Sequence, residues 1–395
     1  MSESRYAQLP PPDADAAAHG ARVAALLCDA IAEAGGVLPF SRFMELALYA
    51  PGLGYYSAGS RKFGEAGDFV TAPEISPLFA RCLAGQFAAV LEALGGGEIL
   101  ELGAGTGRMA ADLLLELERL DILPRRYCIL ELSGELRERQ RSAIEAVAPR
   151  LAGRVEWLDQ LPDDGIRGAI VGNEVLDAMP ITRFRLRGGA VVELGVAVEG
   201  GRFVWREMPA SESLRERVEA LQRASGSVWC DGYESEINTA LGPWIASLAT
   251  SLEAGVMLFI DYGFSRREYY HPDRSGGTLM CHYRHRAHPD PLILPGLQDI
   301  TAHVDFTAVA EAAHESGLKV EGYTTQANFL LGAGIDRFLH PGERPVAEHL
   351  RLAQGAKKLL LPSEMGELFK VIGLSRNFTG SPLSGFALRD LRNML

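Results

Sequence analysis

The densest chemical signal in the chain is Glu101-Leu102-Gly103-Ala104-Gly105-Thr106-Gly107. An apolar run enters this segment and a helical pattern leaves it from Arg108, so its backbone amides gather at a helix N-terminus. Glycine tolerates positive φ and lets a ligand approach the main chain closely. Adenosine cofactors use such a turn. The dinucleotide form, GxGxxG, needs glycine at position 108, and Arg108 stands there. The spacing is instead GxGxG behind an acid, Glu101. A glycine turn between any strand and any helix has the same outline, so the loop alone does not decide the ligand.

Polar residues at the ends of the following strands add to it. Glu131 lies 24 residues beyond Gly107, and a carboxylate there can accept both hydroxyl protons of a ribose. Ribose is common to nicotinamide and sulfonium cofactors, so Glu131 supports adenosine without separating the two. Asp159 can accept from an adenine amine with Leu158 against the ring, or serve as a turn residue before Pro162. Asn173-Glu174 leaves a fourth strand at its carboxyl end, where open α/β sheets place ligands.

The elements that must position these residues alternate between strand and helix. Residues 98–102, 127–132, 154–158 and 168–172 read as strands, with helices over 108–120 and 135–147. Continuous apolar runs separated by helices indicate a parallel sheet covered on both faces, doubly wound by right-handed crossovers. The stretch 183–208 alternates apolar and polar residues around Gly188-Gly189 and Gly200-Gly201, which predicts a three-stranded antiparallel insertion. A helix near 236–252, a fifth strand over 255–261, a long histidine-bearing loop over 265–304 and a helix over 305–316 follow. Residues 318–324 and 369–374 supply closing strands. Ahead of the sheet, helical spacing covers 21–34, and Ser41 is placed to cap a second helix. The expected organisation is a mobile leader (1–20) and an N-terminal helical cover with a lid loop (21–94). A core (95–182 and 236–264) and a β-rich insertion (183–235) follow. A substrate-side loop with C-terminal strands and helices (265–395) completes the core.

The chain has 395 residues, 47% hydrophobic and 23% charged, with net charge −12. That balance describes a folded globular protein and disfavours non-specific nucleic-acid binding, which needs a basic footprint. Five scattered cysteines without a CxxC fit a reducing compartment, and a cytoplasmic location is expected. No stretch reads as a membrane span. Cys281, His282, His285 and His288 cluster, but their spacing matches no common zinc module. A solvated or protein-binding loop is the expected role, and no metal is expected.

Glu101 ahead of GxGxG is similar to motif I of class I methyltransferases. Several longer stretches together resemble the MidA family of methyltransferases: LYAPGLGYYS (48–57), GDFVTAPEISPLF (67–79), ELGAGTG (101–107), GNEVLDAMP (172–180), IDYGF (260–264), the segment 295–306 and QANFLLGAGI (326–335). The resemblance implies a Rossmann-like class I methyltransferase fold with a helical cover, an antiparallel insertion and a C-terminal elaboration. It implies S-adenosyl-L-methionine as cofactor and a lid at GDFVTAPEIS, with Thr71 on the cofactor side and Asp68 and Glu74 toward the substrate. The family's mitochondrial member is a protein arginine methyltransferase assisting respiratory complex I assembly. By analogy, the substrate is a complex I subunit or its bacterial equivalent, symmetrically dimethylated.

Methyl transfer from a sulfonium leaves the protein to align the nucleophile, exclude water and handle one proton. An arginine side chain stays protonated, so a carboxylate must hold it by charge-assisted hydrogen bonds. Glu174 is the expected guanidinium clamp with Asp177 in support, although Asp177 can equally cap a helix. Asp261 either faces substrate or braces loops. His303 and Asp305 either shape the substrate side or assist proton removal, and an N-cap is the preferred role for Asp305. Tyr55, Tyr56, Phe63 and Phe69 either line a side-chain channel or pack the cover. Two further readings stay open: methylation of a small molecule, and an assembly chaperone that binds the cofactor with little catalysis.

Overall fold

The computed structural model describes residues 9–58, 70–340 and 345–395. By its internal contacts the chain forms two units. One comprises Met1–Phe69, Asp177–Ala240 and Arg266–His303, and the other Val70–Leu176, Leu241–Ser265 and Val304–Leu395.

The second unit is built on the strands β1 (Glu98–Leu102), β2 (Tyr127–Leu130), β3 (Val155–Leu158), β4 (Ile166–Asn173), β5 (Leu252–Phe264), β6 (Lys319–Thr325) and β7 (Phe369–Arg376). Consecutive residues such as Ile99 and Leu100 are both fully buried, which requires cover on both faces. The spatial order is β6-β7-β5-β4-β1-β2-β3. Strands β5 to β3 run parallel, while β7 lies antiparallel between β5 and β6. The winding direction reverses between β1 and β4, which sets a ligand crevice at their carboxyl ends.

Helix Pro77–Leu94 starts where Ser76 Oγ accepts from the Leu78 amide and stops at Gly95, φ 71°. Contrary to the expectation that no stretch is span-like, one helix is. This helix is long and apolar enough to cross a bilayer by length and composition, but most of it is buried. Leu78, Phe79, Leu83, Phe87 and Leu91 enter the core beside Leu113, Leu114 and Leu117 of helix Arg108–Arg119. Each such side chain contributes roughly 1.5–3 kcal/mol. The segment therefore packs with the sheet rather than with a separate cover.

In the first unit, helix Ala14–Glu33 is capped by Asp13 and buries Val23, Leu27 and Ile31. The leader expected over 1–20 is thus helical from Ala14. Helix Phe40–Tyr49 starts after Pro39 with no side-chain cap, so Ser41 does not serve as one. The antiparallel meander is present as Thr182–Arg187, Ala190–Glu199 and Arg202–Pro209, turning on glycine pairs at positive φ. Glu234–Ile237 and Leu38–Pro39 extend it to five strands. Hence residue 236 lies in a strand, and the following helix spans Leu241–Ser251. The expected loop at 265–304 holds a second sheet, Met280–Tyr283, Arg286–His288 and Asp299–Thr301. Its tight turn places Arg284 and His285, rather than glycines, at positive φ. Cys281 pairs with His288 across that ladder. Among the described residues, no group of three or more His, Cys, Asp or Glu side chains is placed to hold a metal ion.

Candidate active site

Parallel pairing aligns one row of residues across the sheet: Leu158 with Leu130, Leu130 with Leu102, Leu102 with Gly172, and Gly172 with Phe259. The residues just beyond this row are therefore Asp159, Glu131, Gly103 and Asn173. Glu174 and Asp261 follow on β4 and β5. Register alone brings these side chains to one edge.

Gly103, Gly105 and Gly107 adopt φ of 64°, 52° and 82°. Each needs glycine for its backbone, but their surroundings differ. A Cβ at Gly105 would meet nothing within 4 Å, whereas one at Gly107 would lie 2.9 Å from Gln140 Cα. Gly107 thus serves the close packing of helix Gly134–Val147, and Gly105 leaves an open cradle. Glu101 has a different partner from the one expected. It is 1% exposed, and its Oε2 accepts from the Tyr127 hydroxyl at 2.6 Å. Burial pushes its carboxyl up to about 7, partly offset by that hydrogen bond. The hydrogen bond it makes lies inside the sheet.

Glu131 Oε1 accepts from the Ser133 amide at 2.9 Å and Oε2 from Gln140 Nε2 at 3.1 Å. Each oxygen keeps acceptor capacity. Desolvation raises the carboxyl above its ordinary range, opposed chiefly by the Ser133 and Gln140 hydrogen bonds. Arg137, which sequence reasoning missed, donates to the Glu131 and Leu158 carbonyls at 2.6 and 2.9 Å. It also pairs with Asp159 at 2.5 Å, with that carboxylate largely exposed. Asp159 therefore already holds a guanidinium, which weakens its claim on an adenine amine.

At the end of β4, Asn173 Nδ2 donates to Glu174 Oε1 at 2.9 Å, and the Tyr262 hydroxyl donates to Glu174 Oε2 at 3.1 Å. Glu174 has φ 55°, an uncommon conformation for a side-chain-bearing residue, and its amide donates to Ile260 O. Asn173 Oδ1 is buried without a hydrogen-bond partner. Asp261 is fully buried; its Oδ2 accepts from the Val175 and Leu176 amides at 3.1 and 2.8 Å, and its Oδ1 from Tyr262 N. It braces the loop, one of the two roles expected of it.

The remaining described candidates divide between the two units. Thr71 and Glu74 flank and occupy the short helix Ala72–Ile75, which packs against helices Pro77–Leu94 and Arg108–Arg119. Asp68, Phe63 and Phe69 lie outside the described residues. Asp177 and His303 belong to the first unit. There Asp177 sits in a turn, with no helix to cap, and its carbonyl accepts from the Ala302 amide. The His303 amide donates to Thr278 Oγ1. Tyr55 is core, while Tyr56 donates to Asp299 at 2.7 Å. Asp305 caps helix Phe306–Glu315 as expected.

The residues fit an adenosine cofactor. Gly105 leaves space at the turn, Glu131 has acceptor capacity at the next strand end, and Asn173 Oδ1 is a buried acceptor awaiting a donor. Comparison with known proteins agrees. The Methyltransf_28 model, an S-adenosyl-L-methionine-dependent methyltransferase family, matches residues 82–324. A Burkholderia thailandensis structure bound to S-adenosyl-homocysteine is 47% identical, with TM-score 0.92 over 98% of this chain and 100% of that chain. The mitochondrial protein arginine methyltransferase NDUFAF7 of Mus musculus is 28% identical over 86% of this chain and 81% of that protein. Its Homo sapiens counterpart is 26% identical, with 86% and 80% covered. The chain belongs to this methyltransferase family and uses S-adenosyl-L-methionine.

Proposed function

We propose that the methyl acceptor is an arginine of a protein substrate, and that Glu174 holds it. The observation carrying this reading is the Glu174 carboxylate at the strand end, with Oε1 fixed by Asn173 and Oε2 by Tyr262. A guanidinium keeps its proton at neutral pH, so its nitrogen becomes nucleophilic only when its charge is matched and its plane is fixed. A carboxylate oriented in advance does both with little reorganisation. The names of the curated relatives support the same acceptor.

S-adenosyl-L-methionine supplies a methyl group already activated on sulfur. Glu131 takes the ribose hydroxyls, Gly105 admits the cofactor to the main chain, and Asn173 Oδ1 accepts a hydrogen bond from it. As the new N–C bond forms and the S–C bond breaks, one N–H proton of the guanidinium passes to solvent water, so the product stays singly cationic. Glu174 remains its counter-charge throughout. The finer reading is symmetric dimethylation of a respiratory complex I subunit or its bacterial equivalent.

The test is incubation with labelled S-adenosyl-L-methionine and isolated complex I subunits, with methylarginine read by mass spectrometry. Wild type is expected to modify an arginine. Glu174→Gln is expected to bind cofactor with unchanged affinity and to transfer no methyl. Methyl transfer to a different residue type or only to a small molecule would overturn the reading.

A further inference from the structure

Gln140 lies within helix Gly134–Val147, fully buried beneath the glycine turn. Its amide makes three hydrogen bonds. Nε2 donates to Gly105 O at 3.2 Å and to Glu131 Oε2 at 3.1 Å, and Oε1 accepts from Trp157 Nε1 at 2.8 Å. An indole N–H only donates, so Oε1 must face Trp157. Both amide hydrogens must then face the glycine turn and the carboxylate. Trp157 thus sets the orientation of Gln140, and Gln140 ties the turn to the strand-end acid. Trp157 is itself held under the Arg141 guanidinium, 4.7 Å from the ring centroid.

We propose that Trp157 and Gln140 are positioning residues that fix Glu131 and the Gly105 turn for the cofactor ribose. The proposal rests on the assignment of Glu131 to the ribose. Neither residue is a catalytic one. Gln140 acts by fixing two groups at a set separation, and Trp157 acts by forbidding the flipped amide, which would put oxygen against the Gly105 carbonyl and the Glu131 carboxylate. The close approach of Gly107 to Gln140 adds the backbone to the same lock, since a Cβ at 107 would lie 2.9 Å from Gln140 Cα and displace the helix.

The experiment measures the affinity of the full-length protein for S-adenosyl-homocysteine and for its 2′-deoxyribose counterpart by calorimetry. Gln140→Met keeps volume and removes every polar contact. Trp157→Phe keeps a ring over Arg141 and removes only the N–H. A lost hydrogen bond to a charged partner is expected to weaken S-adenosyl-homocysteine binding about tenfold in Gln140→Met, with a smaller loss in Trp157→Phe. Preference for the ribose over the deoxyribose ligand should shrink in both, which general loosening of the fold would not produce. The double variant should bind no more weakly than Gln140→Met alone, because Trp157 acts through Gln140. Cofactor KM should rise while kcat holds.

Glu131→Gln separates the two levels. If it leaves ribose preference intact, the Glu131 assignment fails and the proposal falls with it. If it abolishes the preference while Gln140→Met and Trp157→Phe retain it, the assignment stands and the positioning role is overturned. Should Gln140→Met not fold, Trp157→Phe carries the comparison by itself.

Discussion

Replacing Glu101 by glutamine tests whether the acid before the glycine turn serves the fold or the cofactor. The carboxyl is enclosed with Tyr127, and burial lifts its pKa from 4.5 to about 7. Below about pH 4.5 the group is protonated in both folded and unfolded chains and adds no pH dependence. As pH rises toward 7, the unfolded chain releases a proton that the folded chain retains, so stability falls through that interval. The shift corresponds to about 3 kcal/mol, fully lost above the folded pKa. Glutamine is neutral at every pH and can still accept from Tyr127. Relative to wild type, Glu101→Gln should therefore gain about 3 kcal/mol between pH 4.5 and 8. Urea denaturation across that range reads the difference directly, and titration with S-adenosyl-homocysteine should give near-unchanged affinity. A difference between the two proteins that is flat with pH would refute the buried neutral acid. A well-folded variant that no longer binds cofactor would return Glu101 to the binding site.

Other perturbations isolate other parts of the site. Tyr262→Phe removes the donor to Glu174 Oε2; kcat should drop about tenfold with cofactor affinity unchanged, measured by steady-state kinetics and calorimetry. Asp261→Ala leaves the part-buried Val175 and buried Leu176 amides without their acceptor, which should cost about 3 kcal/mol in denaturant unfolding and lower methyl transfer together. Gly107→Ala must adopt φ 82° and press on Gln140 Cα. It should lose at least about 2 kcal/mol in the same assay.

The parallel sheet was legible because its strands are buried on both faces and are separated by regular helices. Once the strands are aligned, Gly103, Glu131, Asn173 and Glu174 fall at one edge by register. Local patterning could not reveal cross-chain contacts. Tyr262 lies just past the fifth strand as read over 255–261, yet its hydroxyl reaches a carboxylate 88 positions earlier. Gln140 has no mark in a polar helix until Trp157 and Glu131 meet it in space. Asp261 reads equally as a substrate-facing or a loop-bracing group, and its full burial and three backbone amides show the bracing contacts. The small sheet at 280–301 escaped notice because Arg284 and His285 make its turn without glycine, and its strands are short and polar. Glu101 carried an opposite signal. Its position before the turn suggests a ligand, while its side chain points to Tyr127 in the packed layer.

Glu174 joins function to backbone strain, and the two can be separated. Its φ of 55° disfavours any residue with a Cβ, at roughly 1–2 kcal/mol. The conformation persists because the Glu174 amide is committed to Ile260 O and the next amides to Asp261. Glu174→Ala and Glu174→Gly lose the same carboxylate and the same contacts with Asn173 and Tyr262. They differ only in whether a Cβ must occupy the left-handed region. Both should bind cofactor without transferring methyl, yet the glycine variant should be the more stable by about 1 kcal/mol. That sign is informative, because in ordinary strand or helix positions glycine is the less stable of the two. If alanine proves equal or better by denaturant unfolding, the left-handed backbone at Glu174 is wrong, and the orientation argued for its carboxylate fails with it.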